Sequence, residues 1–189
     1  MNRPEKILRC IDEFLHAPIE LVIYGRAALA LGFANARSEH GATMDVDAII
    51  PADQLTALQA NDDFWAALDR TNQSLESEQL YFTHLFSEMD VILRPDWQTF
   101  KMRVGLPLKR ISLFRPHSTD LVLTKMMRED PLDWADIEFL LAAEPQCAQA
   151  LPAAIAQARV PDIPEIKEVF HRVAPRVLRL AKRELPDAP

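Results

Sequence analysis

The sequence predicts a mixed α/β region followed by an all-helical region, and three observations support this fold class. Up to residue 115, short apolar runs bounded by glycine or proline alternate with segments of helical periodicity. Beyond Pro116, every periodic segment has helical spacing. The chain has 189 residues, of which 49% are hydrophobic and 26% charged, a composition that excludes a mainly disordered protein. We expect an α/β (α+β) core, with a mixed sheet flanked by helices, over residues 1–115 and a helical lobe packed on it over 116–189.

Strands and helices are predicted in alternation along the first region. Apolar residues repeat at helical spacing over 5–16, and the run LVIY over 21–24 is typical of a buried strand that stops at Gly25. Helix-forming residues follow Gly25. The segment TMDVDAII, over 43–50, alternates between two faces as a strand does, and Pro51 closes it. The remaining predicted elements are a helix over 53–70 and strands over 81–86, 88–94 and 109–114.

Helices alone are predicted after Pro116. Asp130 is a favourable N-cap residue, and Pro131 suits the first position of a helix. Pro175 predicts an irregularity within the last helix. The predicted spans are 118–128, 131–143, 147–158 and 163–184.

Glycine is rare in this chain and clustered. The sequence has only 4 glycines, and Gly25, Gly32 and Gly41 lie within one stretch of 17 residues, whereas an average protein contains about 7% glycine. Glycine permits positive φ and a close approach of the backbone to a ligand. We therefore expect the strand-to-helix turn at Gly25 to border a binding site.

Several protein classes are excluded by composition. The first twenty residues carry scattered charges and no continuous apolar stretch, so neither a signal peptide nor a membrane anchor is expected there. No apolar run approaches the roughly 20 residues that span a bilayer. Cys10 and Cys147 have no metal-binding or disulfide spacing, and we interpret both as reduced thiols. These features predict a cytoplasmic protein without a membrane partner.

Basic residues are concentrated in the middle of a chain whose net charge is -7. Residues 94–128 carry eight basic side chains and two acidic ones. Such a segment can bind an anionic ligand such as a nucleotide or RNA, or it can be an ordinary solvated surface. The basic residues are Arg94, Lys101, Arg103, Lys109, Arg110, Arg115, Lys125 and Arg128.

Two carboxylates are predicted on one side of the strand over 43–50. Asp45 and Asp47 are two residues apart, so their Cα atoms lie roughly 6.6 Å apart and their side chains point the same way. Their repulsion, roughly 3 kcal/mol at an effective dielectric constant of 20, favours binding of a hard cation such as Mg²⁺. Asp90, on the predicted strand 88–94, could add a third carboxylate and allow two metal ions. The alternative is a solvated strand face without a metal.

The order of these motifs resembles the minimal nucleotidyltransferase superfamily, which has the DNA polymerase β-like fold. The resemblance implies that the strand-to-helix turn binds nucleotide phosphates and that three aspartates bind Mg²⁺, two ions in the full site. It also implies transfer of a nucleoside monophosphate from an NTP to an acceptor hydroxyl, with the third aspartate also acting as base. The corresponding residues, from the turn to the third aspartate, are Gly25, Arg26, Thr43, Asp45, Asp47 and Asp90.

A second motif in the helical half is similar to the abortive-infection (AbiEii-like) toxin branch of that superfamily. It consists of DLVLTKMMR over 120–128, which contains Lys125, and DWAD over 133–136. The resemblance implies a toxin of a toxin–antitoxin pair, with RNA, tRNA or protein as acceptor and without DNA. Lys125 would contact the triphosphate or pair with Asp136, whose apolar neighbours on the helix demand a partner. The alternative for Lys125 and Asp136 is a structural ion pair with no catalytic role.

Two features depart from the superfamily pattern. Arg26 follows Gly25, where many members have a second small residue, and it could bind phosphate or block the nucleotide. The segment 38–42 also lengthens the usual spacing before the acidic strand. These departures favour an alternative function, a catalytically degenerate fold that serves as a nucleotide- or protein-binding module.

His84 is a weaker candidate. It lies within the predicted strand 81–86 and shares a face with Phe82 and Phe86. We therefore expect a satisfied core histidine at this position rather than a residue of the site.

Overall fold

The computed structural model of the chain describes residues 1–184 and divides into two compact units. The first unit comprises residues 1–87 and 101–115, and the second comprises, among the described residues, 88–100 and 116–184. The predicted fold class is confirmed, because a mixed sheet with helices precedes a series of helices. The segment 88–100, predicted within the α/β core, groups with the second unit. The end of the predicted lobe, 185–189, lies outside the described residues.

A five-stranded mixed sheet organises the first unit. Its strand order is β3-β2-β1-β5-β4. The central strand β1 pairs antiparallel with β2 and parallel with β5, while β2 and β3 pair parallel. The strands are β1 (Ile19–Tyr24), β2 (Asp45–Ile50), β3 (Tyr81–Ser87), β4 (Met102–Arg103) and β5 (Ile111–Arg115).

The helices Arg3–Phe14 and Asp62–Leu75 pack against each other and against one face of the sheet. Phe64 packs edge to face on Phe82 of β3, with ring centroids 6.5 Å apart. Phe82 pairs with Val46 of β2, so this helical layer buries the apolar face of β2. The buried carboxylate of Asp12 accepts backbone N–H bonds from residues 109–111 and so fixes the start of β5. The helices are α1 (Arg3–Phe14), α2 (Gly25–Gly32), α3 (Leu55–Gln59) and α4 (Asp62–Leu75).

The second unit is helical. Asp130 caps the helix that begins at Pro131 by accepting a hydrogen bond from the backbone N–H of Leu132 at 2.7 Å, as its sequence predicts. Pro175 is accommodated within the last helix. Over residues 1–184, none of the helices combines the length and the apolar character needed to cross a membrane. The helices are α5 (Ser118–Thr124), α6 (Pro131–Ala143), α7 (Gln146–Gln157) and α8 (Pro164–Glu184).

The helix predicted over 53–70 is in fact two helices. Asn61 interrupts it and caps α4, accepting a hydrogen bond from the backbone N–H of Phe64 at 3.0 Å. The new start sets the buried side of α4, so that Phe64 is buried whereas Trp65 is 36% exposed. A local cap therefore overrides the continuous apolar pattern.

The prediction of a strand over 88–94 is also wrong. Residues 88–90 form a turn, and Leu93 makes only an isolated bridge with Arg159. The cause is Glu88, a buried carboxylate that accepts hydrogen bonds from the indole of Trp97 at 2.9 Å and from the guanidinium of Arg159 at 3.1 Å. These bonds satisfy the buried charge of Glu88 within the second unit. They hold residues 88–94 out of the sheet.

Candidate active site

The two carboxylates of β2 lie on one face of the sheet. Asp45 and Asp47 are partly buried, whereas Val46 and Ala48, which alternate with them, are fully buried on the other face. The predicted orientation is confirmed. The sheet thus presents two acidic side chains, two residues apart, on the face opposite α4 and Phe82.

Threonine hydroxyls hold one oxygen of each carboxylate. Thr43 donates to Oδ1 of Asp45 at 2.7 Å, and Thr83 donates to Oδ1 of Asp47 at 2.8 Å. Such supporting hydrogen bonds fix the orientation of a carboxylate and leave its second oxygen for a ligand. Both aspartates are therefore pre-oriented by neighbouring side chains.

A bulge in β3 brings two further side chains to Asp47. The register shifts between Val46, which pairs with Phe82, and Asp47, which pairs with His84, so that Thr83 is an extra residue on β3. Bulges re-aim side chains and are frequent beside active sites. Here Thr83 and His84 both reach the same oxygen of Asp47.

The expectation of a core histidine at position 84 is wrong. His84 is 63% exposed at its side chain, and its Nδ1 lies 3.2 Å from Oδ1 of Asp47. Simple alternation would place His84 on the buried face with Phe82, but the bulge turns it to the acidic face. Periodicity alone therefore misses both Thr83 and His84 as residues of the site.

The turn at Gly25 faces the carboxylate strand. Gly25 has φ of +63° and starts α2 directly after β1, a conformation that side chains disfavour. A Cβ at this position would lie 4.0 Å from Oδ2 of Asp47. Tyr24, the residue before Gly25, pairs with Asp47 across strands β1 and β2. The predicted strand, turn and helix arrangement is confirmed, with the second oxygen of Asp47 directed at the turn.

The start of α2 is suited to an anion. Tyr24 is the N-cap residue of α2, and its side chain makes no capping hydrogen bond. The first N–H groups of a helix together with its dipole favour phosphate. Arg26 is the second residue of α2 and is partly buried. The phosphate-binding roles of Gly25, Arg26 and Thr43 stay predictions.

The donor set fits one Mg²⁺ ion. This ion takes carboxylate oxygens, and one or two protein carboxylates are enough when substrate phosphates complete the coordination. Asp45 and Asp47 supply that number from one strand face. Asp90 lies exposed in the turn of the second unit rather than on a strand. Among residues 1–184, no three His, Cys, Asp or Glu side chains gather as a metal site, so the second ion and the role of Asp90 stay predictions.

A buried cluster of charges lies within the second unit. Lys125 donates to Oδ2 of Asp136 at 2.5 Å and to Oδ1 of Asp133 at 3.1 Å. Arg128 in turn donates to Asp133 at 2.7 Å. Lys125, Asp133 and Asp136 are each at most 7% exposed. The cluster has the form of a structural ion pair, and the phosphate-binding role of Lys125 stays a prediction.

Several residues of the basic segment have partners within their own unit. Arg94 forms a two-pronged ion pair with the buried Asp120, and this hydrogen bonding raises the pKa of the arginine. Lys101 pairs with Glu20 in the first unit. Arg94 thus lies in the second unit and Lys101 in the first. Each forms an ion pair that has a structural role.

The family match agrees with this geometry. Residues 6–143 match the family described as "Nucleotidyltransferase of unknown function (DUF6036)". The matched span contains the whole sheet, the turn at Gly25, both carboxylates of β2 and the Lys125 cluster. No curated protein and no solved structure matches the chain. Because the match covers more than half of the sequence, the chain belongs to this family of nucleotidyltransferases.

Proposed function

We propose that the protein is a Mg²⁺-dependent nucleotidyltransferase that transfers a nucleoside monophosphate from an NTP to an acceptor hydroxyl. The observation that carries the proposal is the pair Asp45 and Asp47, each with one oxygen held by a threonine hydroxyl. Oδ2 of Asp47 faces the turn at Gly25. Carboxylates and the start of α2 thus border the same space, as binding of a metal–phosphate complex requires.

The reaction we propose is a nucleotidyl transfer. The acceptor hydroxyl oxygen bonds to the α-phosphorus, the bond from that phosphorus to the bridging oxygen breaks, and pyrophosphate leaves. The hydroxyl proton passes to a base, for which Asp90 is the predicted residue. Asp45 and Asp47 would hold the Mg²⁺ ion, which would supply positive charge to neutralise the phosphates. Thr43 and Thr83 keep these carboxylates oriented, and the N–H groups at Gly25 bind phosphate oxygens.

The acceptor and the biological role are finer proposals. RNA, tRNA or a protein is the acceptor we propose, and the resemblance of the Lys125 and Asp136 motif to the abortive-infection branch supports a toxin with an antitoxin partner. In this proposal the buried cluster of Lys125 with Asp133 and Asp136 stabilises the helical unit.

Charge removal at β2 tests the proposal. We expect Asp45→Asn and Asp47→Asn each to abolish transfer of label from an α-labelled NTP to components of a cell extract, while thermal stability is unchanged or higher. The matched control is Asp53→Asn, an exposed aspartate in the turn after β2, which should transfer like wild type. Transfer at the wild-type rate by both β2 variants would refute the mechanism.

The degenerate binding module is the alternative that Arg26 favours, because its side chain stands at the start of α2. A thermal-shift titration with Mg²⁺ and each NTP separates the two functions. Ligand at about 100 times its dissociation constant stabilises a protein by roughly 2.7 kcal/mol. A shift with an NTP but no transfer to any acceptor identifies a nucleotide-binding module. No shift with any NTP identifies a fold that has lost nucleotide binding.

A further inference from the structure

We propose that the exposed ring of His84 stacks on the base of the bound nucleotide, so that the site recognises nucleoside triphosphates rather than polyphosphates in general. This inference rests on the proposed function, since it assumes that phosphates bind at Asp45 and Asp47. It assigns His84 a role in substrate binding that the sequence pattern does not predict.

Two partners hold the His84 ring in place although the ring is solvent-exposed. Nδ1 lies 3.2 Å from Oδ1 of Asp47, and the side chain is 63% exposed. Phe86 lies beside it on β3, with ring centroids 5.3 Å apart and planes tilted by 33°. An exposed ring that is fixed in this way offers a face for stacking at little cost in side-chain entropy.

The aromatic neighbourhood continues across the sheet. Tyr24 of β1 contacts Phe86 edge to face, with centroids 5.6 Å apart. Because Tyr24 and His84 both pair with Asp47, one from each neighbouring strand, the carboxylate lies between two aromatic residues. A carboxylate bordered by rings suits a ligand that has both a charged phosphate part and a planar apolar part.

His84 and the carboxylate of Asp47 occupy neighbouring positions on the sheet. Neighbouring strands lie about 4.8 Å apart, and the His84 ring reaches the carboxylate proposed to bind the metal–phosphate complex at 3.2 Å. A nucleotide carries its planar base and its phosphates on one ribose, so the two parts can bind neighbouring side chains. Stacking on an aromatic side chain contributes about 5- to 150-fold in affinity and accepts every base, because each base has a π face.

Binding measurements with two probes test the stacking. The probes are ATP and inorganic tripolyphosphate, each titrated calorimetrically with Mg²⁺ into the full chain. We expect His84→Ala to weaken ATP binding by about 5- to 150-fold more than tripolyphosphate binding, because tripolyphosphate has no base and loses only the contact of Nδ1 with Asp47. His84→Phe should retain the preference for ATP over tripolyphosphate, because it keeps a ring. The control His171→Ala removes an exposed histidine of α8 and should bind both probes like wild type.

The outcomes distinguish the inference from the function on which it rests. An equal loss of both probes in His84→Ala would overturn stacking, because the histidine would then contact phosphate. Unchanged ATP binding in His84→Ala, or His84→Phe as weak as His84→Ala, would overturn it as well. If wild type binds ATP and tripolyphosphate equally well, stacking fails and the proposed function stands. If wild type binds neither probe, the proposed function and the stacking both fail.

Discussion

The two units handle acidic side chains in opposite ways. In the second unit, Asp133 and Asp136 are buried and share the ammonium of Lys125. In the first unit, Asp45 and Asp47 are partly buried, and their recorded partners are hydroxyl groups and an imidazole. Among the described residues of that unit, neither is paired with a lysine or an arginine.

This difference separates a structural cluster from a binding site. Buried charges that neutralise one another are satisfied without a ligand, and they become costly only when one member is removed. Two carboxylates on one strand face repel each other by roughly 3 kcal/mol until a cation arrives. This contrast supports the proposal that the acidic face of β2 binds a metal–phosphate ligand.

The largest expected effect tests the buried cluster. Lys125→Met leaves Asp133 and Asp136 buried without their shared cation, which should destabilise the protein by about 3–5 kcal/mol and lower Tm by roughly 10 °C. Lys167→Met is the matched control, because Lys167 pairs with Asp162 at the surface of the same unit. Urea unfolding of both variants measures the difference.

The control should stay within about 0.5 kcal/mol of wild type, as surface ion pairs contribute little. Equal stability of the two variants would contradict the structural role. A Lys125→Met protein that stays stable but binds ATP weakly would show that this lysine serves the substrate instead.

A smaller effect is expected at the turn beside the carboxylates. Gly25→Ala places a side chain at φ of +63°, and this conformation costs about 1–2 kcal/mol for an L-residue. Gly105→Ala is the control, because a Cβ there meets nothing within 4 Å, and it should be neutral or slightly stabilising. Thermal unfolding of both variants checks this prediction. If the two alanine variants unfold at the same temperature, the turn is not strained as described.

The smallest effect is expected at Asp63, a surface carboxylate that accepts several hydrogen bonds. Asp63 accepts hydrogen bonds from the His16 ring and from the backbone N–H groups of His16 and Ala17. These bonds lower its pKa below the ordinary value of 3.8, with the His16 side-chain bond as the main cause. A lowered pKa stabilises the fold above pH 3.8, and this contribution is lost as the pH falls through the lower folded-state value.

We therefore expect Asp63→Asn to have a slightly lower Tm than wild type at pH 7. The melting temperatures of wild type and Asp63→Asn should converge well below pH 3.8, where Asp63 is protonated in both the folded and the unfolded protein. Melting curves across this range measure the difference. A gap that persists at low pH would show that the effect does not come from the charge.

The sequence is sufficient where the signals are local. Alternation predicts β2 and its acidic face, and the Asp130 cap with Pro131 predicts α6 with the bounds that the structure shows. The apolar run before Gly25 likewise predicts the strand and the turn. In each case the determining residues are neighbours in the chain, so that periodicity and capping rules apply directly.

Features that depend on distant partners are not predictable in this way. The bulge at Thr83 exists only relative to β2, and it reverses the side of the sheet to which His84 belongs. The turn after β3 depends on the bond between Glu88 and Arg159, which are far apart in the chain. Asp133, in the first turn of α6, is a second partner of Lys125, and the two residues belong to different helical segments.

The parallel pairing of β1 with β5 has a consequence for the order in which the protein is made. Synthesis produces β1 early, but its partner over Ile111–Arg115 emerges only after the excursion of residues 88–100 into the second unit. Until then, one edge of the central strand is bare and able to pair with other chains. Such non-local pairing folds slowly. A truncation before residue 111 would leave this edge of β1 without its partner strand, and we expect such a chain to aggregate more readily than the full protein.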